Sequence, residues 1–150
     1  MTPIPRSALA LGLAGLIPFL WSAATHVSVP LASWAGGLML PMFIGGYVGL
    51  TYGTIILSFM SGVLWGFATK ADPDQAGVFY ALSVIPALWV LLMVTDASPD
   101  ARLYLIAGFV GLLALDWTFW RQGLAPDWWM RLRGLLTAVV IACLAVPLIL

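Results

Sequence analysis

Residues 47–68, YVGLTYGTIILSFMSGVLWGFA, decide the fold because they contain no charged side chain and are long enough to cross a bilayer as a helix. At about 1.5 Å per residue, such a helix would span about 33 Å. Gly45, Gly49 and Gly53 recur at every fourth position, and glycines at this spacing let the backbone of a neighbouring helix approach closely. We therefore predict a transmembrane helix at the centre of a helical bundle.

A second stripe of residues runs along another face of the same helix. It recurs at alternating spacings of four and three and consists of Tyr47, Thr51, Thr54, Ser58, Ser61 and Trp65. The hydroxyl groups of Thr51, Thr54 and Ser58 are expected to support helix packing, because such groups in membrane helices bond to their own backbone or to a neighbouring helix. A path for a small solute is the alternative function of this stripe.

The composition indicates an integral membrane protein. Hydrophobic residues make up 63% of the 150 residues and charged residues only 8%, whereas about a quarter of a soluble domain is charged. The net charge is zero, so no basic surface suggests a nucleic-acid partner, and the expected partners are the lipid bilayer and other membrane proteins. The single cysteine, Cys143, can form neither an internal disulfide nor a metal cluster.

Four more membrane helices are predicted, giving an all-α bundle of five helices in one domain, residues 1–150. They cover residues 7–25, 76–95, about 101–121, and the region after residue 127 to the C-terminus. The first resembles a cleavable signal peptide, but we expect it to stay as a helix, kinked at Pro18 and packing its small residues Ala8, Gly12 and Gly15 on the glycine stripe. Gly108 and Gly111 are expected on the packing side of the fourth helix.

The segment between the first two helices, residues 26–46, is apolar but rich in helix breakers. HVSVPLASWAGGLMLPMFIGG contains Pro30, Pro41 and two Gly-Gly pairs. Non-helical backbone at membrane depth is tolerated where protein or water covers it. We therefore predict an interfacial or partly re-entrant loop that lies over the end of the bundle.

The positive charges predict the orientation in the membrane. Five helices place Arg6, Lys70, Arg121, Arg131 and Arg133 on one side and leave only Arg102 on the other. Positively charged residues concentrate on the cytoplasmic side of membrane proteins. The N-terminus is therefore predicted in the cytoplasm, or in the matrix of a mitochondrion, and the expected location is the bacterial inner membrane.

Asp116 is the residue with the strongest functional signal, since an ionised carboxylate inside a membrane helix needs a cation or a proton. Arg121 faces away from it on an ideal helix, whereas Arg133 lies at a similar depth in the fifth helix. Arg131 can pair with Asp127 at the favourable i, i+4 spacing. We favour a structural ion pair between Asp116 and Arg133 over a proton or ligand site.

Trp117, Trp120, Trp128 and Trp129 crowd the same end of the bundle. Tryptophan is enriched where helices cross the membrane interface, so an aromatic belt is the favoured interpretation. The alternative is a pocket for a quinone or a lipid, with Asp116, Trp120, Trp128, Arg131 and Arg133 as ligand-binding residues. A lone histidine, His26, makes a poor metal site, and motifs for hydrolysis or phosphate binding are absent from the sequence, so neither catalysis nor a metal or other cofactor is expected.

Four blocks together resemble a family of small multi-pass membrane proteins of unknown function that includes a mitochondrial transmembrane-protein-69 group. The blocks are IPRSALALGLAGLIPF, YGTIILSFMSGVLWG, SVIPALWVLL and LDWTFWRQGLAPDWWMRLRGLLT. The matching positions are Tyr52, Gly53, Ser58, Trp65, Gly66, Asp116, Gly123, Pro126, Trp128, Leu132 and Arg133. The sequence departs from the family pattern at Ser61, where glycine is expected, and at Trp129, where tyrosine is expected. The resemblance implies an inner-membrane location and supplies no activity.

Two functions from different classes fit these observations. The first is a non-catalytic accessory or assembly subunit that packs against a larger energy-transducing membrane complex. The second is a binding protein or carrier for a small lipophilic molecule such as a quinone or lipid. The short polar turns and few ionisable groups favour the first.

Overall fold

The computed structural model describes residues 2–150, and this range contains seven α-helices, one 3-10 turn and no strand. The helices are α1 (Arg6–Ala14), α2 (Ile17–Val27), α3 (Val29–Gly36), α4 (Gly46–Ala68), α5 (Pro73–Met93), α6 (Pro99–Arg121) and α7 (Trp129–Ile149). Five spans are long and apolar enough to cross a membrane: α1 together with α2, and then α4, α5, α6 and α7. The predicted all-α membrane architecture is therefore confirmed.

The first span is broken between α1 and α2, as the proline in this helix predicts. Proline lacks a backbone N–H, and its ring collides with the carbonyl four residues earlier, which for Pro18 belongs to Ala14, the last residue of α1. The connecting turn is tightened by a bond from the Leu16 N–H to the Leu13 carbonyl at 3.0 Å. The break lets α1 lean on α7, where a Cβ atom at Gly12 would lie 3.2 Å from Leu136. Gly12 therefore packs on α7 and not on the glycine stripe of α4, which corrects that expectation.

The central helix is α4, which packs against α2, α5, α6 and α7. A Cβ atom at Gly49 would lie 2.5 Å from the Ser22 hydroxyl on α2, and one at Gly53 would lie 2.7 Å from Leu105 on α6. Only glycine fits either contact without movement of its neighbour. The third member of the stripe, Gly45, precedes the helix and has φ of +69° with open space around its Cβ position, so it shapes the turn and is not a close helix contact.

The hydroxyl stripe of α4 divides into three environments. The Thr54 hydroxyl donates to the carbonyl of Thr51 at 2.7 Å, within the same helix. Ser58 is exposed on the outer surface, which departs from the predicted packing role. The Ser61 hydroxyl accepts from the Ala87 N–H at 2.9 Å and so joins α4 to α5 beside Pro86.

The segment between α2 and α4 contains α3 and the 3-10 turn Pro41–Phe43. Its apolar side chains are mostly exposed, including Val29 at 74%, Trp34 at 60% and Leu40 at 64%. A groove is lined by Ile17, Pro18 and Trp21 of the first span and by Leu38, Met39, Leu40 and Phe43 of this segment. The Trp21 indole donates to the Phe43 carbonyl at 2.8 Å. The segment thus packs beside the first span with most of its apolar side chains outward.

On helix α6, one of the two interior glycines is a close contact and the other is open. A Cβ atom at Gly108 would lie 2.6 Å from Leu57 of α4 and 2.9 Å from Trp89 of α5. Gly111 is exposed and has nothing within 4 Å of its Cβ position, so its predicted packing role is wrong.

The start of α6 is fixed by a capped turn outside the membrane-spanning helices. The Ser98 hydroxyl accepts from the Ala101 N–H at 3.1 Å, which makes Ser98 the N-cap residue. The Asp96 carboxylate accepts from the Ser98 N–H at 3.0 Å. Hydrogen bonds from the side chain and then the backbone of Ser98 lower the pKa of Asp96 below its ordinary value.

Candidate functional site

A buried ion pair joins α6 and α7. Asp116 is fully buried and Arg133 is 5% exposed. The Arg133 Nε donates to Asp116 Oδ2 at 2.7 Å, and the Trp129 indole Nε1 donates to Asp116 Oδ1 at 2.9 Å. Each carboxylate oxygen therefore has one donor, and within residues 2–150 no other ion pair forms.

The turn between α6 and α7 brings these residues together. Gly123 has φ of +71°, a conformation that favours glycine, and the Leu124 N–H closes the end of α6 by donating to the Phe119 carbonyl at 3.0 Å. On α7, Trp129, Arg133 and Thr137 follow one another at four-residue spacing. They therefore share one face of the helix.

A cavity of about 360 Å³ lies beside the ion pair, between the first span, α4 and α7. Ligand sites in proteins begin at about 300 Å³, so a small molecule fits. Its lining is mostly apolar and consists of Leu11, Gly12, Gly15, Leu16, Phe19, Tyr52, Ile56, Phe59, Met60, Phe109, Arg133, Leu136, Thr137 and Val140. Arg133 thus belongs both to the ion pair and to the wall of the cavity.

Two residues that line the cavity, Arg133 and Thr137, are 5% and 2% exposed. Nη2 of Arg133 and Oγ1 of Thr137 have no hydrogen-bond partner in the described chain, and both atoms are themselves inaccessible to solvent. A buried polar group without a partner costs about 1–3 kcal/mol, and more when the group is charged. The surface that the cavity offers to a ligand is therefore mostly apolar and is suited to a lipophilic molecule.

The cavity opens sideways, toward the region that lipid would occupy. Leu11 on α1 and Phe59 on α4 both line it and are 75% and 64% exposed. The cavity therefore reaches the outer surface through a gap between Leu11 of α1 and Phe59 of α4. We call this gap the lateral opening, and it gives a molecule dissolved in the bilayer access to the cavity.

The other ligand-binding residues expected from the sequence lie outside the cavity. The Trp120 indole donates to the Asp127 carbonyl at 3.3 Å, and Trp128 packs edge-on against Trp129 at 5.9 Å between ring centroids. Arg131 is exposed and donates to the carbonyl of Thr2. The predicted pair between Arg131 and Asp127 is therefore wrong, because the extended N-terminal residues offer that arginine a nearer acceptor.

Arg121 and His26 also lie outside the cavity. The Arg121 guanidinium lies 4.9 Å from the ring centroid of Trp117, a cation–π contact. His26 is exposed at the end of α2, and residues 2–150 hold no group of three or more metal-ligating side chains.

Sequence reasoning missed two residues that build the site, Trp129 and Thr137. Trp129 departs from the family pattern, yet its indole donates to Asp116. Ser61 departs from the pattern as well, and its hydrogen bond to α5 lies away from the site. Thr137 is a single hydroxyl residue in an apolar helix, and its residue type alone does not mark it as part of a site. The four-residue spacing from Trp129 through Arg133 to Thr137 is the signal that could have found it.

A bundle of five apolar spans with a buried ion pair and a laterally open cavity defines a multi-pass α-helical membrane protein. Residues 4–149 match the model of a family described as a protein of unknown function, DUF3429. The chain belongs to this family.

Two relatives carry the name Transmembrane protein 69. The one from Xenopus tropicalis is 36% identical over 151 residues, which cover 97% of this chain and 54% of the frog protein. The one from Mus musculus is 29% identical over 150 residues, covering 97% of this chain and 57% of the mouse protein. The chain thus spans about half the length of these relatives. No solved structure matches the chain.

Proposed function

We propose that this protein binds a small lipophilic molecule, of the quinone or lipid class, which enters its cavity from the membrane through the lateral opening. The observation that carries this proposal is a mostly apolar cavity of about 360 Å³ whose lining includes the exposed side chains of Leu11 and Phe59. We therefore rank ligand binding ahead of the accessory role that composition favours.

The proposed role is binding without catalysis. Within the described residues, the cavity wall has no histidine, no cysteine and no carboxylate, which are the side chains that most often act as general base or activated nucleophile. The Asp116 carboxylate lies behind Arg133 and is held by two donors. Its proposed part is to fix the position of the guanidinium.

A pair of neighbouring substitutions tests the proposal. Ile56 lines the cavity, whereas the adjacent Ile55 is 58% exposed on the outer surface of the same helix. Ile56→Trp should fill the cavity, and Ile55→Trp adds the same side chain outside it. Lipophilic molecules that copurify in mild detergent would be extracted and compared by mass spectrometry. A species present in wild type and Ile55→Trp but lost from Ile56→Trp supports the proposal, and identical extracts from all three proteins contradict it.

An accessory role in a larger membrane complex is the second candidate, and one surface of α4 favours it. Ser58, Gly62 and Gly66 follow one another at four-residue spacing on the outer face, and nothing lies within 4 Å of a Cβ atom at either glycine. Small residues at this spacing let a second membrane helix pack closely. Gly62→Leu should then remove a stoichiometric partner recovered in mild detergent, whereas Gly77→Leu, at another open glycine on α5, should retain it. Equal recovery from both variants would exclude this surface as the interface.

We further propose the bacterial inner membrane as the location, with the arginine-rich end in the cytoplasm. This end carries Arg6, Lys70, Arg121 and Arg131, and the opposite end carries Arg102. A reporter active only in the periplasm should give signal when fused after Leu150 and none when fused at Asp74. The reverse pattern would contradict this orientation.

A further inference from the structure

We infer that residues 29–43 form an interfacial anchor: they lie immersed in one leaflet of the membrane beside the first span, and lipid acyl chains cover their outward side chains. The leaflet is the one at the end of the bundle where Arg102 donates to the Gly46 carbonyl. This inference is independent of the proposed ligand and of which end faces the cytoplasm. It follows from the depth of the segment, the surface that it turns outward and the hydrogen bonds of its backbone.

The depth of the segment is fixed by a hydrogen bond to the first span. That span has 22 residues, just enough to cross a hydrocarbon core of about 30 Å, so Val27 lies near the edge of the core. The Trp21 indole donates to the Phe43 carbonyl at 2.8 Å. Six residues of helix separate Trp21 from Val27, a rise of about 9 Å, and interfacial segments lie about 5–10 Å deep. The 3-10 turn therefore lies inside the leaflet and does not extend beyond the end of α2.

A groove between the segment and the first span extends to a similar depth. It has a volume of about 730 Å³ and reaches Ile17 and Pro18, near the middle of the span. Every residue of its lining is hydrophobic, and the others are Trp21, Leu38, Met39, Leu40, Phe43 and Val48. Acyl chains can fill such a groove, whereas water would leave its apolar walls hydrated at a cost in free energy.

The outward surface of the segment continues a surface that lipid covers. On the first span, Ile17 and Leu20 are exposed, and beside this span Leu38, Leu40 and Met42 are exposed as well. The segment contains no charged residue. A contiguous apolar surface of this kind marks a contact with membrane or protein. Its depth and its continuity with the first span identify membrane lipid as the partner.

The backbone around the 3-10 turn suits surroundings that contain little water, where polar backbone groups must be paired within the protein. The N–H groups that donate to carbonyls three or four residues earlier belong to Leu38, Met39, Phe43 and Ile44. Pro41 has no N–H to satisfy. Next to the turn, the Gly45 N–H donates to the Thr25 hydroxyl at 2.8 Å, and its carbonyl accepts from the Ser22 hydroxyl at 2.9 Å. Most of the non-helical backbone is therefore paired without water.

The depth of single nitroxide labels in lipid vesicles tests the inference. Leu40→Cys places a label on the segment, Leu20→Cys on the first span and Val27→Cys at the end of α2. Ala97→Cys labels the exposed turn between α5 and α6, at the same end of the bundle. Electron paramagnetic resonance would be recorded with oxygen, which concentrates among acyl chains, and with a nickel chelate, which stays in water. Wild type treated with the label corrects for reaction at the buried Cys143.

The ratio of the oxygen effect to the nickel effect should be higher at Leu40→Cys than at Val27→Cys, and close to the ratio at Leu20→Cys. It should be severalfold higher than at Ala97→Cys. Met42→Cys, at a second exposed position, should give the same ordering even if Leu40→Cys proves unstable.

Two results would overturn the inference. A ratio on the segment no higher than at Val27→Cys would place residues 29–43 in water. Suppression of both the oxygen and the nickel effect at Leu40→Cys and Met42→Cys would show that a protein, and not lipid, covers the surface. Because none of the labelled positions lines the cavity, either result would leave the proposed ligand binding standing.

Discussion

Replacing Asp116 by asparagine should destabilise the protein strongly, and removing Arg133 as well should restore most of the loss. Asparagine has the shape of aspartate and can still accept from the Trp129 indole, which lies 2.9 Å from Oδ1. It cannot balance the charge of Arg133. The single substitution therefore leaves a buried guanidinium whose Nη2 already lacks a partner.

The magnitude follows from the burial of the two residues. Asp116 is fully buried and Arg133 only 5% exposed, so water cannot take the place of the lost charge. Breaking a buried pair by removing one partner costs about 3–5 kcal/mol. Asp116→Asn alone is expected in that range. In Asp116→Asn combined with Arg133→Gln no charge remains to be solvated, so the coupling energy between the two sites should be about 3 kcal/mol.

The assay is equilibrium unfolding by sodium dodecyl sulfate in mixed micelles, followed by far-ultraviolet circular dichroism, for wild type, both single variants and the double variant. Asp127→Asn and Arg131→Gln serve as the matched control, since these residues lie close in sequence but form no ion pair. Their coupling energy should be near zero. If the coupling between Asp116 and Arg133 were equally small, the structural role of the buried pair would be refuted.

Three other predictions concern the helix contacts and one turn. Gly53→Leu should destabilise the bundle far more than Gly77→Leu in the same unfolding assay, because a Cβ atom at Gly53 would lie 2.7 Å from a leucine of α6 and Gly77 has open space. Ser61→Gly restores the residue expected from the family pattern and should lower the free energy of unfolding by about 1 kcal/mol, because it removes the hydrogen bond to α5. An unchanged free energy of unfolding would contradict a stabilising role for that bond. Ser98→Ala should cost about 1 kcal/mol as a lost N-cap and should raise the pKa of Asp96 toward its ordinary value of 3.8, measured by carbon-13 chemical shifts of the carboxyl group. Because the folded pKa of Asp96 is lowered, its contribution to stability is present above the unfolded pKa and is lost as the pH falls through the folded pKa. A pKa of Asp96 that does not change in Ser98→Ala would contradict the contribution of the Ser98 side chain, since the backbone N–H bond remains.

The five spans could be predicted because each depends on local sequence. An uncharged stretch of about twenty residues is sufficient to specify a membrane helix, and the observed bounds of α4, Gly46–Ala68, differ by one residue from the prediction. The break in the first span was equally local, since Pro18 disrupts the bond to the carbonyl of Ala14. The buried pair was predictable for a related reason: few residues can neutralise a carboxylate at that depth, and the turn between α6 and α7 is short.

The contacts between helices could not be read from local sequence. Gly12 has the spacing expected for packing on α4, but the break in the first span turns it toward α7. Residues 38–43 are held against the first span by the hydrogen bond from the Trp21 indole to the Phe43 carbonyl. The spacing of residues in the sequence does not predict a bond of this kind. The cavity lies between α1, α4 and α7, and only the assembled bundle shows that Thr137 has been left without a partner.

The central claim, that this cavity binds a lipophilic molecule, is tested most directly by one titration. A decyl-substituted benzoquinone, chosen as a probe of the quinone class, would be added to wild type, Ile55→Trp and Ile56→Trp in lipid nanodiscs. Empty nanodiscs would correct for the part of the probe that partitions into lipid. Saturable binding of one molecule per chain by wild type and Ile55→Trp, and its loss in Ile56→Trp, is the predicted result. Equal binding by all three proteins, or binding no greater than that of the empty nanodiscs, would contradict the claim.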